Sequence, residues 1–106
     1  MSSTATNPYP NLSAPAGAVF VSEWEDIPTD DPYRFVQGPR AIIDTDRSGD
    51  VVVWWGGLQR PDGTVTYEVC VSQLHPDKPL TVAEARQVAR AVMNAADAAE
   101  RWSVSD

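Results

Sequence analysis

The stretch that decides the fold is DVVVWWGGLQRPDGTVTYEVCVSQ, residues 50–73. From Thr64 to Ser72 polar and apolar residues alternate strictly, which is the period of a β-strand with one buried face. Residues 50–60 are rich in Val and Trp, which favour strands, and Pro61-Asp62-Gly63 is typical of a tight turn. The stretch therefore predicts two antiparallel strands joined as a hairpin.

Two further extended segments precede this hairpin. Residues 18–24 favour a strand, and a second stretch runs from Tyr33 to Asp44. Gly38-Pro39 interrupts the second stretch, which predicts a bulge or bend because proline removes a hydrogen-bond donor from the ladder. Residues 44–50 (DTDRSGD) have the composition of a turn. Together these segments predict an antiparallel meander.

A long C-terminal helix follows. Thr81 is a favourable N-cap, Glu84 completes a capping box, and Leu80 stands where a hydrophobic staple requires an apolar residue. Residues 82–102 contain neither Gly nor Pro. Two apolar rows run along this helix, either of which can pack on the sheet or on a second helix. The first row is Val82, Ala85, Ala89, Val92, Ala96 and Ala99, and the second is Val88, Val92, Ala95, Ala99 and Trp102.

The predicted fold class is α+β: a three- or four-stranded antiparallel β-meander with one long C-terminal α-helix packed on one face. Residues 1–16 are predicted to be a flexible N-terminal arm, because they carry no charge and few apolar side chains. Residues 17–106 are predicted to form a single α+β domain. Tyr9 and Leu12 are the two apolar side chains of the arm that are able to dock on this domain.

The composition excludes several classes of function. The chain of 106 residues has 15 acidic against 8 basic residues and a net charge of -7, whereas nucleic acids and anionic membranes attract clustered Lys and Arg. We therefore expect no direct nucleic-acid binding and no membrane partner. The single Cys70 excludes an internal disulfide. The first residues lack the charge and the apolar run of a signal peptide, so a cytoplasmic location is expected.

The register of the hairpin decides which residues face the helix. If residues 61–63 close a short loop, Leu58 pairs with Val65 and Trp54 with Val69, which places Trp54 under the helix. The opposite, outer face then carries Arg40, Ile42, Val53, Trp55 and Glu68. Such a face is too apolar to remain uncovered. The N-terminal arm, a second copy of the chain or a partner protein is expected to cover it.

We predict no catalytic, cofactor or metal site. A nucleophilic cysteine–histidine pair needs contact between the two side chains, but Cys70 is predicted on a strand and His75 beyond its end. Residues 44–49 (DTDRSG) match the start of a calcium loop, but Trp55 stands where the closing glutamate belongs. A plain turn explains the same residues.

The acidic stretch from Glu23 to Asp31 has two interpretations. It is either a solvated loop that aids solubility or an acidic surface that occupies a basic groove on a partner. The candidate residues are Glu25, Asp26, Asp30 and Asp31.

Three short motifs carry a resemblance. The helix opens with LTVAEAR (80–86) and continues with AAD (95–97), and DGTV (62–65) begins the last strand. In these motifs the chain resembles small actinobacterial and mycobacteriophage accessory proteins. The resemblance implies a phage or host accessory protein and implies no catalytic residues. Some members of that group carry Cys and His near the N-terminus that are able to bind metal, and this chain lacks them there.

The leading functional hypothesis is a non-catalytic protein-interaction module, expected to be phage-encoded, that binds a host or phage protein through the outer sheet face. One alternative is a structural homodimer that uses the outer face or the alanine-rich helix. The other is an acidic inhibitor of a nucleic-acid-binding protein.

Overall fold

The computed structural model describes residues 9–25, 31–47, 49–72 and 74–104, and it describes residues 102–104 by their backbone alone. They form one antiparallel sheet and one helix, so the predicted α+β class is confirmed. The elements are β1 (Phe20–Val21), β2 (Arg34–Gln37), β3 (Ala41–Thr45), β4 (Gly49–Gln59), β5 (Val65–Ser72) and α1 (Val82–Val104).

The long strand β4 is the centre of the sheet. It pairs with β5 along one edge, and along the other edge with β3 and then β2, while β1 lies outside β2. Gln37 pairs with Gly56 and Ala41 with Val53, so three residues of one chain segment face two of β4. This one-residue excess is the bulge that Gly38-Pro39 predicts. β2 and β3 are therefore one interrupted strand of a meander.

The register between β4 and β5 differs by one residue from the predicted one. Trp54 pairs with Cys70, and Trp55 with Val69. The physical reason lies in the loop, which has three residues between the paired Arg60 and Thr64. The Arg60 N–H donates to the Thr64 carbonyl oxygen, and the Gly63 N–H donates to the Arg60 carbonyl oxygen, both at 2.9 Å. One extra loop residue exchanges the two faces of a strand.

Gly63 makes this loop possible. Its φ is 92°, in the left-handed region that glycine adopts without steric cost. A tight turn followed by a left-handed residue is the usual form of a three-residue hairpin loop. The Asp62 carboxylate accepts hydrogen bonds from the Thr64 N–H at 2.9 Å and from its hydroxyl at 2.7 Å, which fixes the turn. Glycine at the third loop position therefore selects the observed register.

The hairpin between β3 and β4 is also shifted by one residue. Asp44 pairs with Asp50 rather than with Val51, and Ile42 pairs with Val52. Ile43 consequently faces the helix and is buried, whereas Ile42 faces away from it and is 64% exposed.

The core lies between α1 and one face of the sheet, which we call the inner face. Its buried apolar residues are Val36, Ile43, Val51, Val53, Trp55, Val88, Ala95 and Ala99. The Trp55 side chain is 3% exposed, and its ring lies edge-to-face with Tyr67 at 5.6 Å. Trp55 and Val53 were expected on the outer face, so that placement is wrong. The sequence of β4 does not show which of its faces is buried, because apolar residues occupy both faces.

α1 begins as its sequence predicts. The Thr81 hydroxyl accepts a hydrogen bond from the Glu84 N–H at 3.1 Å, and the Glu84 carboxylate accepts one from the Thr81 N–H at 2.9 Å. This reciprocal pair is a capping box. Glu84 accepts a second bond, from the Asp46 N–H at 2.9 Å. The buried carboxylate therefore ties the β3–β4 turn to the start of the helix.

Only one of the two predicted helix rows packs on the sheet. Val88, Ala95 and Ala99 are buried, as the second row predicts. Most of the first row is exposed, so it does not pack on the sheet: Val82, Ala85, Ala89 and Ala96 face solvent. Small alanine side chains in the packed row let the helix approach the sheet closely, and the large side chains of the core come from the strands.

The segment 9–18 covers the part of the inner face beside β2. The Arg34 guanidinium donates to the Gln59 side-chain oxygen at 2.8 Å and to the Leu12 carbonyl oxygen at 3.2 Å. The Gln59 amide donates to the Ser13 carbonyl oxygen at 3.1 Å. Ala14 and Ala18 pack against the core. Two buried polar side chains therefore hold the backbone of this segment.

Aromatic contacts also attach the segment 9–18 to the rest of the domain. Tyr9 lies edge-to-face with Trp24 at 4.7 Å, and the Arg34 guanidinium lies over the Trp24 ring at 4.9 Å. Tyr9 thus docks on the domain through its ring and Leu12 through its backbone carbonyl oxygen, beside Arg34 on the inner face rather than the outer. Of the predicted flexible arm, residues 1–8 lie outside the described part of the chain.

Candidate protein-interaction surface

The outer face of the sheet is the side opposite α1, and its members follow from the register. Large apolar side chains on it come from four strands and are Phe20, Phe35, Ile42, Val52, Trp54 and Leu58. Phe20 is 51% exposed, Phe35 42% and Ile42 64%. Val52, Trp54 and Leu58 are half-buried. Four neighbouring strands therefore present apolar side chains on a face that does not contact the helix.

Arg40 and Trp54 form a stacked pair on this face. The guanidinium carbon lies 5.0 Å from the centre of the indole ring, a distance at which a cation is attracted to the aromatic face. The predicted register places Trp55 on the same face as Arg40, and the one-residue shift places Trp54 there instead. At a partly exposed site such a contact contributes about 0.5–1 kcal/mol, so it holds both side chains in place.

A shallow pocket of about 140 Å³ lies beside this pair, at the position where Gly56 leaves no side chain. We call it the Gly56 pocket. Its lining is Phe35, Val36, Gln37, Trp54, Gly56, Gly57, Leu58, Glu68 and Cys70. Trp54 and Leu58 precede and follow Gly56 on the same face of β4, because alternate residues of a strand point to the same side. The pocket thus has mainly apolar walls and one carboxylate.

Glu68 and Cys70 contribute the polar chemistry of the pocket. The Cys70 thiol donates a weak hydrogen bond to the Glu68 carboxylate at 3.7 Å. Burial raises the pKa of the Cys70 thiol, and the negative charge of Glu68 and the hydrogen bond to it raise this pKa further. At neutral pH the thiol therefore stays protonated, whereas a nucleophilic cysteine needs the thiolate. His75 belongs to a separate turn after β5, where the Lys78 N–H donates to its carbonyl oxygen at 3.1 Å.

One described end of the acidic stretch forms an isolated β-bridge, and the other forms a surface ion pair. Glu25 pairs with Tyr33 through two backbone hydrogen bonds of 2.7 and 3.2 Å. The Asp31 carboxylate lies 3.4 Å from the Arg60 guanidinium, and both side chains are exposed, so the ion pair adds little stability. Asp26 and Asp30 lie outside the described residues. The acidic surface as a whole therefore stays a prediction.

Three of the residues predicted on the outer face lie there: Arg40, Ile42 and Glu68. Sequence reasoning missed Trp54, Gly56, Leu58 and Phe35. The signal that could have found them is the Gly at the third position of the loop Pro61-Asp62-Gly63, which indicates a three-residue loop. Counting the β4–β5 pairs outward from that loop yields the observed faces.

The described residues of the segment 44–50 connect β3 and β4 as a turn, as its composition predicts. Gly49 has a φ of 69°, and the Thr45 hydroxyl donates to the Gly49 carbonyl oxygen at 2.6 Å.

Among the described residues no group of three His, Cys, Asp or Glu side chains is arranged to hold a metal ion. Within the same residues, α1 is not apolar enough over its length to cross a membrane.

Comparison with known proteins gives no match to this chain, whether with family models, with curated proteins or with solved structures.

Proposed function

We propose that this protein is a non-catalytic interaction module that binds a partner protein through the outer face of its sheet. The partner is a host or phage protein, as the resemblance of the helix motifs implies. The observation that carries the proposal is the exposure of Phe20, Phe35 and Ile42 on a face with no part in the core.

The two faces of the sheet differ in how much of their apolar surface is covered. On the inner face, α1 and the segment 9–18 already bury the apolar side chains. On the outer face the exposed apolar side chains have no role in the core, and apolar side chains exposed in this way are typical of a protein-binding site. Aromatic residues and arginine are enriched where binding energy is concentrated. Trp54, Phe35 and Arg40 provide these residue types together.

The chemistry of the same face favours binding over catalysis. Cys70, its one thiol, has a raised pKa. The nearest carboxylate, Glu68, is exposed rather than enclosed in an apolar site, and such enclosure is what adapts a carboxyl group to proton transfer. These features support a surface that recognises a partner without transforming it.

The test compares two variants with matched exposure on opposite sides of the molecule. Ile42 on the outer face is 64% exposed, and Met93 on the helix is 63% exposed. Because both side chains are largely in solvent, Ile42→Asp and Met93→Asp should leave the thermal midpoint close to that of the wild type. Each immobilised variant is used to capture proteins from an actinobacterial lysate with and without phage infection, and sedimentation velocity measures the mass of each variant.

The proposal expects one protein to be captured by the wild type and by Met93→Asp but lost with Ile42→Asp. Loss with Met93→Asp alone would move the binding site to the helix and contradict the proposal. A wild-type dimer that Ile42→Asp converts to a monomer would support the homodimer instead, because the outer face would then be covered by a second copy.

A further inference from the structure

Gly56 and Gly57 are adjacent in β4, but packing requires glycine at only one of the two positions. A Cβ at Gly57, on the inner face, would lie 2.7 Å from a Val65 methyl group and 3.2 Å from the Thr66 carbonyl oxygen, so packing requires glycine there. A Cβ at Gly56, on the outer face, would meet its nearest atom at 3.7 Å, which is ordinary van der Waals contact. The φ of Gly56 is also outside the left-handed region. Neither packing nor backbone conformation requires Gly56.

The absence of a side chain at Gly56 therefore has one visible consequence, the Gly56 pocket. Phe35, Trp54 and Leu58 supply apolar surface around it, and Glu68 supplies its only ionised side chain. Glu68 is exposed, and in the described part of the chain its carboxylate has no ion-pair partner. The polar atom that contacts it is the neutral Cys70 thiol.

We propose that the Gly56 pocket receives an arginine or lysine side chain of the partner protein. This inference rests on the proposed function and names the chemistry of the residue that the partner inserts. A basic side chain matches both properties of the pocket: its methylene groups pack on apolar walls, and its charged end reaches a carboxylate.

The charge of the whole chain favours the same occupant. A net charge of -7 attracts basic partners and repels acidic ones. The aromatic ring of Phe35 adds an attraction for a cation that an aliphatic side chain does not have. An arginine also has a planar head group that stacks on aromatic rings, as Arg40 of the chain itself does on Trp54.

The experiment titrates the isotope-labelled full-length protein with three capped tripeptides, followed by the amide signal of Gly56 and the indole N–H signal of Trp54. The central residue is arginine, its neutral isostere citrulline, or leucine. We expect saturable shifts at both signals with the arginine peptide. Its affinity should exceed that of the citrulline peptide by about three- to fivefold, as for an exposed ion pair, and added salt should reduce this difference.

Three variants assign the effect to the pocket. Gly56→Val fills it with a side chain suited to a strand and should abolish the shifts at the Trp54 indole. Glu68→Gln keeps the shape and should remove the preference for arginine over citrulline. Thr66→Val adds a similar apolar side chain on the same face but outside the pocket lining, so it should bind the arginine peptide as the wild type does.

Other results would overturn the inference. A leucine peptide that binds as tightly as the arginine peptide would make the pocket an apolar anchor, and no shifts with any peptide would show that it takes no side chain of this size. In either case loss of partner capture by Ile42→Asp would still support the proposed function. A dimer that Gly56→Val dissociates would identify a second copy as the occupant and would contradict both proposals.

Discussion

The two neighbouring tryptophans of β4 show how one residue of register decides the role of a side chain. Trp55 is 3% exposed and faces α1. Trp54 is half-buried on the outer face beneath the Arg40 guanidinium. Gly38 is part of the Trp55 environment, because a Cβ at that position would overlap the indole ring. The domain therefore depends on Trp55 for packing and can present Trp54 to a partner.

We expect Trp55→Ala to lower the free energy of unfolding by about 3–5 kcal/mol, because it leaves a large cavity in the core. Trp54→Ala should cost clearly less, since its ring is already partly in solvent. Chemical unfolding of both variants measures the difference. Equal losses, or a larger loss with Trp54→Ala, would instead support the register in which Trp54 faces the helix.

At the scale of the elements, the sequence predicts the helix cap, the bulge and the turns, but it does not predict the register in which the strands pair. The capping box of Thr81 and Glu84, the bulge at Gly38-Pro39 and the turn at 44–50 each depend on a few local residues with strong conformational preferences. The faces of β3 and β4 depend on a register, and their apolar runs fit either choice. The sequence thus predicts an apolar outer face. Of the five residues that it places there, Val53 and Trp55 lie on the inner face instead.

The contact between α1 and the β3–β4 turn should depend on pH through Glu84. Hydrogen bonds from the backbone N–H groups of Thr81 and then Asp46 hold the pKa of this carboxyl group below its ordinary value. The stabilisation is therefore fully present above the ordinary glutamate pKa and is lost as pH falls through the lower folded-state pKa.

Glu84→Gln should lower the thermal midpoint at neutral pH, and its difference from the wild type should shrink in acid. Thermal unfolding across a pH series checks this. The exposed Asp97→Asn on the same helix is the control, and it should shift the midpoint little at every pH. A Glu84→Gln difference that stays constant with pH would contradict a role for the ionised carboxylate.

At the scale of the whole molecule, the segment 9–18 completes the inner face that α1 leaves uncovered beside β2. It satisfies two buried polar side chains, Arg34 and Gln59, through the carbonyl oxygens of Leu12 and Ser13. Burial lowers the pKa of the Arg34 guanidinium, since desolvation opposes the charged form. Residues 9–16 therefore pack as part of the domain.

A chain that starts at Gly17 should be less stable than one that starts at Tyr9. Removing residues 9–16 breaks the bonds to Leu12 and Ser13, and the loss is about 1–3 kcal/mol if the freed polar groups stay buried. Chemical unfolding of the two truncated proteins and the full chain measures it. Equal stability of the two truncated forms would contradict a structural role for this segment.

The three-residue loop at Gly63 also has a consequence for the order of synthesis. β3 and β4 leave the ribosome before β5, and apolar residues of β3 that pair with β4, such as Ile42 and Ile43, accept either orientation toward the future core. β5, made last of the strands, is the first whose two sides differ in polarity, because a slip would bury Glu68. A growing chain therefore commits its interior and its exterior only when Gly63 and β5 have emerged.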